Sequence, residues 1–246
     1  VKMIGRGGVG EVYEGENLRI RRKVAIKTLK AEFVAKTDIV QRFEREAQAA
    51  GRIGSAHIVE VLDLGDLPDG SRFLVMEYLE GETLSRHIKT VGRMSPVEAS
   101  ELILQLLEGL GGAHAAGIIH RDLKPANIYL VPRNGESFVK IIDFGVSKFN
   151  TLASDELTMT KTGIVVGTPY YMAPEQAKGA RSVDGRADLY AVGVIAYECV
   201  TGQVPFAAQT FNELLFKIVL EAPPPIEKFV PDVDPTFASL VRKAMN

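Results

Sequence analysis

The chain has 246 residues, of which 46% are apolar and 24% charged, with 29 Lys and Arg against 31 Asp and Glu. That balance belongs to a globular chain able to bury a core, and a net charge of −2 supplies no basic field for a nucleic-acid backbone. The single cysteine, Cys199, excludes an internal disulfide framework or a Cys-ligated zinc, and the longest apolar run, residues 189–200, is broken by Glu198 and too short to cross a bilayer. Neither nucleic-acid binding nor membrane contact is expected of this segment, and the cysteine usage fits a reducing compartment.

From Val1 to about Leu79 the pattern is strand-like, with Gly-punctuated runs at 11–13, 23–29, 58–64 and 72–76. One helix is expected among them, over about 38–53, where Ile39, Phe43, Ala50 and Ile53 recur at helical spacing. Glu46 falls on that apolar stripe. A carboxylate on a buried helix face is costly unless paired, and the nearest cation in an apolar setting is Lys27, in Val24-Ala25-Ile26-Lys27.

Past Leu79 the pattern turns mostly helical, which places a boundary near Glu80-Gly81 and divides an α+β chain into residues 1–79 and 80–246. Ser95-Pro96-Val97-Glu98 combines a capping serine, a proline at the first helical position and a glutamate three residues after the cap. The helix that starts there is expected to run through Leu102, Leu106, Leu107 and Leu110 and to stop near Gly117. Further helices are expected over about 188–201 and 211–220, the latter closed by Pro223-Pro224-Pro225, and the chain ends inside an amphipathic helical stretch. No internal repeat is visible.

Three strings carry chemistry. The first is Gly5-Arg6-Gly7-Gly8-Val9-Gly10-Glu11-Val12, whose glycines let backbone N–H groups approach phosphate oxygens closely. A dinucleotide-binding turn would need a helix to begin at those glycines, whereas the chain continues into strand-like Glu11-Val12-Tyr13 and Val24-Ala25-Ile26, so the glycines belong to a hairpin. The second string is His120-Arg121-Asp122-Leu123-Lys124-Pro125-Ala126-Asn127, and the third is Asp143-Phe144-Gly145, followed by Ala173-Pro174-Glu175.

With Lys27 and the Gly-rich loop, these strings in this order resemble the protein-kinase superfamily over essentially the whole chain. Gly7-Gly8-Val9-Gly10-Glu11-Val12-Tyr13, the Arg42-Phe43-Glu44-Arg45-Glu46-Ala47 stretch and Gly167-Thr168-Pro169-Tyr170-Tyr171-Met172-Ala173-Pro174-Glu175-Gln176 are similar to the eukaryotic-type serine/threonine kinases of bacteria. The resemblance implies a bilobal fold with a β-rich N-lobe and a helical C-lobe, using ATP and Mg2+ to phosphorylate Ser or Thr hydroxyls of protein substrates. Lys27 is then expected to contact the α- and β-phosphates and pair with Glu46, and Gly5, Gly7 and Gly10 to cover the phosphates. Asp122 is expected to orient the acceptor hydroxyl, Lys124 to steady the transferred group, and Asn127 and Asp143 to hold magnesium. Val12, Ala25 and Tyr129 would line the adenine pocket with Met76 at its back, and the backbone of Glu77 and Leu79 would meet the base.

The same resemblance implies that Thr168 hydrogen-bonds toward Asp122 and Lys124 as part of the substrate platform. It also implies that Arg121 meets a phosphorylated residue of the 143–175 segment, for which Thr160 and Thr162 are the expected autophosphorylation sites, in trans within a homodimer if one forms. Asp188 is expected to anchor the backbone of the 120–127 loop. Glu175 lacks its usual arginine partner and the family normally continues beyond Asn246, so the chain reads as a fragment. Ala50, smaller than usual, would seat the 38–53 helix loosely. A non-catalytic scaffold is disfavoured because Lys27, Asp122 and Asp143 are all present. A small-molecule kinase is disfavoured by the platform at 167–175.

Overall fold

The Gly-rich string does fold as a hairpin, joining β1 (Lys2–Arg6) to β2 (Gly10–Asn17), with the Gly7 N–H donating to the Gly10 carbonyl at 2.8 Å. The computed structural model describes residues 1–144, 169–180 and 182–246. Three more strands, β3 (Arg22–Leu29), β4 (Val61–Asp66) and β5 (Arg72–Glu77), complete an antiparallel sheet in the order β1-β2-β3-β5-β4. The third expected strand shifts toward Asp66, because Ile58 leaves this sheet and bridges instead to Ile141 in the other half of the chain.

Register decides what the sheet shows to the site. Val12 pairs with Lys27, Lys27 with Leu74, and Ala25 with Met76, so alternation puts Val12, Ala25, Lys27, Leu74 and Met76 on one face. Against that face packs α1 (Thr37–Arg52), whose buried Ile39, Phe43 and Ala47 meet Leu29 and Leu74. Ala50 is itself buried and joins the larger core of the second half, so the end of α1 is seated against both halves. Arg72 adds a polar tether, donating to Glu44 of α1 at 2.7 Å and pairing with Asp66.

The second half contains α2 (Leu84–Val91), α3 (Pro96–Ala115), α4 (Pro174–Ala177), α5 (Arg186–Thr201), α6 (Phe211–Leu220) and α7 (Pro235–Ala244). The α3 start has the full reciprocal capping box of Ser95 and Glu98. Its end is a left-handed turn at Gly117, with Ile118 N–H reaching back to the Ala113 carbonyl at 2.9 Å. Helix α5 is buried along nearly its whole circumference, as a helix without a polar face must be, and α3 and α7 pack on it.

A mainly helical expectation for this half omits a small sheet of β6 (Glu82–Thr83), β7 (Ile128–Arg133) and β8 (Glu136–Ile141), ordered β6-β7-β8. It also omits the short α2, whose N-terminus is capped by the Thr83 side chain. The β-ribbon is what fastens the halves together: Val59 N–H donates to the Ile141 carbonyl at 2.9 Å, Ile141 N–H to the His57 carbonyl at 2.7 Å, and Lys140 pairs with Glu77 at 2.5 Å. Among the described residues, no helix is long and apolar enough to cross a membrane.

Gly81 lies where the chain passes between the halves, and a Cβ there would sit 2.1 Å from the Leu130 carbonyl oxygen. Gly111, on the open side of α3, has nothing within 4 Å of the same position. Gly81→Ala is therefore expected to lower stability by about 3 kcal/mol or more, while Gly111→Ala raises it by up to about 1 kcal/mol by removing backbone freedom from the unfolded chain. Urea midpoints of the two variants check both signs.

Candidate active site

The cleft between the halves has a volume near 410 Å³ and apolar walls. Val12, Ala25 and Met76 from the sheet, Leu79 just beyond β5, and Tyr129 from β7 all line it, together with Glu77 and Asp143. Seven residues singled out from the sequence thus share one cavity. Ile4, Val59 and Ile142 also line it and were not anticipated, since each is an ordinary apolar residue whose place depends on tertiary packing.

The glycines of the β1–β2 hairpin differ in what they permit. A Cβ at Gly10 would meet the Thr28 carbonyl oxygen at 2.6 Å, so glycine is needed there for strand packing. Gly8 faces open space, Gly7 meets nothing nearer than 3.6 Å and Gly5 nothing nearer than 3.6 Å, so the rim of the cleft stays open above the backbone.

At the inner end of the cleft the Lys27 ammonium donates to Glu46 at 2.8 Å and to Asp143 at 2.6 Å. The ammonium is mostly buried, and although burial works against a charged lysine, the two carboxylates outweigh it and raise its pKa. Burial pushes the Glu46 carboxyl up to about 7, opposed by Lys27 and reinforced by the Asp143 charge. Asp143 responds in the other direction: burial would raise it, but its bond to Lys27 holds it below the ordinary carboxylate value. One cation therefore joins a strand, a helix and the loop after β8, with Glu46 as the carboxylate that most readily takes up a proton.

The loop before β7 brings Asp122, Lys124 and Asn127 together. Lys124 Nζ lies 3.0 Å from Asp122 Oδ2, and Asn127 Nδ2 donates to the Asp122 carbonyl at 2.9 Å, which leaves the Asn127 amide oxygen as its acceptor end. Asp188, at the start of α5 and 1% exposed, holds the loop from below: it accepts the His120 N–H at 2.9 Å, the Arg121 N–H at 2.8 Å and the His114 ring at 2.8 Å. His120 fastens this loop to the Asp143 segment. Its Nδ1 accepts the Asp122 N–H at 3.3 Å, so the ring proton sits on Nε2, which donates to the Ile142 carbonyl at 3.2 Å. Complete burial lowers the His120 pKa and keeps the ring neutral. Ile142 N–H in turn donates to the Asn127 carbonyl at 2.9 Å.

Arg121 and Asp143 both adopt left-handed backbone, with φ of 64° and 56°. Neither conformation was legible in the sequence, and each is held by the bonds just described. Among the described residues, the buried Arg121 Nε has no hydrogen-bond partner. Thr160, Thr162 and Thr168 lie outside the described residues.

Carbon NMR titration of Glu46 is expected to give a midpoint of about 7, and Lys27→Met is expected to move it higher, because the opposing ammonium is lost while burial and the Asp143 charge remain. The folded value lies above the ordinary 4.5, so the folded state binds the extra proton. The stabilisation linked to this group is thus complete below 4.5 and lost as pH rises through about 7. A midpoint near 4.5 in the wild type would refute the assignment.

Comparison with known proteins identifies the family of the chain. The protein kinase domain family matches residues 1–245. The chain is 44% identical over its whole length to serine/threonine-protein kinase Pkn1 of Myxococcus xanthus, covering 34% of that protein, and 39% identical over 99% of its length to serine/threonine-protein kinase pkn3 of the same organism, covering 45%. Against serine/threonine-protein kinase PknB of Mycolicibacterium smegmatis it is 38% identical over 99% of its length, covering 39% of that protein. The chain thus spans between a third and a half of the length of these relatives, and with a matched region that takes in nearly every residue, it belongs to the protein kinase domain family.

Proposed function

We propose that the chain is the catalytic domain of a serine/threonine protein kinase that transfers the γ-phosphate of ATP, with magnesium, to Ser or Thr hydroxyls of proteins. The observation that carries this reading is Lys27, held between Glu46 and Asp143 at the end of an apolar cleft, next to the Asp122–Lys124–Asn127 cluster. An apolar slot suits a flat base, and a lysine positioned by two carboxylates suits a polyphosphate. All the names of the related proteins quoted above agree with a Ser/Thr acceptor.

The residues fit the expected nucleotide and metal. Among the described residues, no group of three or more His, Cys, Asp or Glu could hold a metal ion alone. Asp143 and Asn127 offer one carboxylate and one amide oxygen, which suits a hard cation that shares its remaining ligands with phosphate and water. When bound, magnesium supplies charge neutralisation at the phosphates. The chain supplies the rest. Val12, Ala25, Met76 and Tyr129 sandwich the base, the backbone of Glu77 and Leu79 meets its edge, and Gly5, Gly7 and Gly10 close over the phosphates. Asp122, acceptor-only when ionised, orients the substrate hydroxyl and takes its proton late in transfer, with the Lys124 ammonium 3.0 Å away to offset developing charge.

Autophosphorylation at Thr160 or Thr162, in trans between two copies, would supply an anion for Arg121, whose Nε, unpartnered among the described residues, supports that role. Residues 1–79 and 80–246 act as the two lobes in this reading, Thr168 completes the substrate platform, and this domain works in the cytoplasm, with any membrane anchor of the parent protein lying outside it.

Transfer of γ-phosphate to the chain and to a generic Ser/Thr peptide, read by intact mass, is expected for the wild type. It should fall by about a hundredfold or more in Asp122→Asn, the size of a lost acid–base contribution. A folded, ATP-binding wild type that transfers nothing would overturn the reading. Phosphopeptide mapping is expected to find phosphate on Thr160 or Thr162, and phosphate confined to Ser154 or Thr158 would remove that assignment.

A further inference from the structure

Gln176 is a polar side chain that is only 2% exposed, and both ends of its amide are used. Oε1 accepts the Ala173 N–H at 2.9 Å, and Nε2 donates to the Arg121 carbonyl at 3.1 Å. The first bond is local, closing the start of α4, where Ala173 has no side-chain oxygen to cap the helix itself. The second bond spans 55 residues of sequence and reaches the residue immediately before Asp122.

The carbonyl that Gln176 holds shares one rigid plane with the Asp122 N–H. That plane is gripped at two points: its oxygen by Gln176, and its N–H by His120 Nδ1 at 3.3 Å. The preceding amide, Arg121 N–H, is fixed separately by Asp188. Asp188 therefore sets where the loop lies, while the tilt of the plane leading into Asp122 depends on Gln176 and His120. Without the Gln176 donor, the part-buried carbonyl of Arg121, a residue already in left-handed backbone, loses its partner, and rocking of that plane becomes the easiest way to satisfy it.

We propose that Gln176 is a positioning residue for the phosphoryl-transfer centre: its amide locks the Arg121–Asp122 peptide plane to the start of α4, so that Asp122 keeps a fixed place relative to the 169–175 segment. The inference rests on reading Asp122 as the group that orients the acceptor hydroxyl.

Two variants separate positioning from packing. Gln176→Met keeps the volume and removes both bonds, and Gln176→Glu keeps the shape but donates only when protonated. In the 246-residue chain, kcat toward a Ser/Thr peptide is expected to fall by about tenfold to a hundredfold in both, with KM for ATP within about twofold of wild type. The ratio of Gln176→Glu to wild type should climb as pH is lowered from about 8 to about 6, because the acid form regains an O–H donor, whereas the Gln176→Met ratio stays flat.

Backbone amide exchange supplies a readout that needs no activity. Exchange in residues 119–123 is expected to be about tenfold faster in Gln176→Met, with α1 and the five-stranded sheet unchanged. If exchange at 119–123 is unaltered, or rises evenly over the whole chain, the positioning role is overturned, and a pH-independent loss in Gln176→Glu overturns it as well. If the wild type transfers no phosphate while exchange still rises locally in the variant, the kinase reading fails and the hold of Gln176 on this peptide plane stands.

Discussion

The geometry of the site depends on one carboxylate that never faces the cleft. Asp188 is buried at the start of α5 and takes hydrogen bonds from the backbone of His120 and Arg121 and from the His114 ring. A carboxylate in such a place costs several kcal/mol unless its lone pairs are filled, and here three donors fill them. The consequence is directional: the same bonds that make the charge tolerable pull two consecutive backbone amides toward α5 and turn Arg121 into left-handed backbone. The most extensively buried of the described helices thereby dictates the path of the 120–127 loop. The loop is then fastened to the Asp143 segment through both polar groups of Ile142, one bound by the His120 ring and the other by the Asn127 carbonyl.

Lys27 does for the two halves what Asp188 does for the loop. Its partners lie 19 and 116 residues away in sequence, one on α1 and one beyond β8. Two carboxylates around one ammonium leave a site that is rich in negative charge, which is why burial can push Glu46 upward even though a cation is in contact with it. The backbone joints between 57–59 and Ile141, and the Glu77–Lys140 pair, hold the halves at a spacing where Lys27, paired with Glu46 in its own half, can also reach Asp143.

Much of this was legible in the sequence, and the reasons are specific. Glu46 stood out as a fault in an apolar stripe, and a fault of that kind demands a partner, which the strand carrying Ala25 and Lys27 supplies. The capping box at Ser95 and the glycine at 117 marked α3 at both ends because the local chemistry is complete there. The β7–β8 ribbon went unanticipated although its turn, Asn134-Gly135, has positive φ at both residues and is a strong short-range hairpin signal. The bonds of Gln176 and His114 lay beyond any local pattern, since each partner is defined only once α3, α4 and α5 have packed.

Two of the left-handed residues, those at the site, point to a division of labour. Arg121 and Asp143 flank the site, and each such conformation costs roughly 1–3 kcal/mol when the residue is not glycine. That cost can be met by packing alone only if the backbone has no nearby relaxed alternative, and both residues sit in loops, where alternatives exist. Hydrogen bonds to the strained units close off those alternatives. At Arg121 the N–H goes to Asp188 and the carbonyl to Gln176. At Asp143 the side chain goes to Lys27, while the preceding residue is held at both its N–H and its carbonyl. The strain is matched by directional bonds on both sides, which originate in β3 and the 120–127 loop at the cleft and in α4 and α5, elements seated in cores outside it. A substitution in those elements can therefore disturb the site without touching any group that lines it.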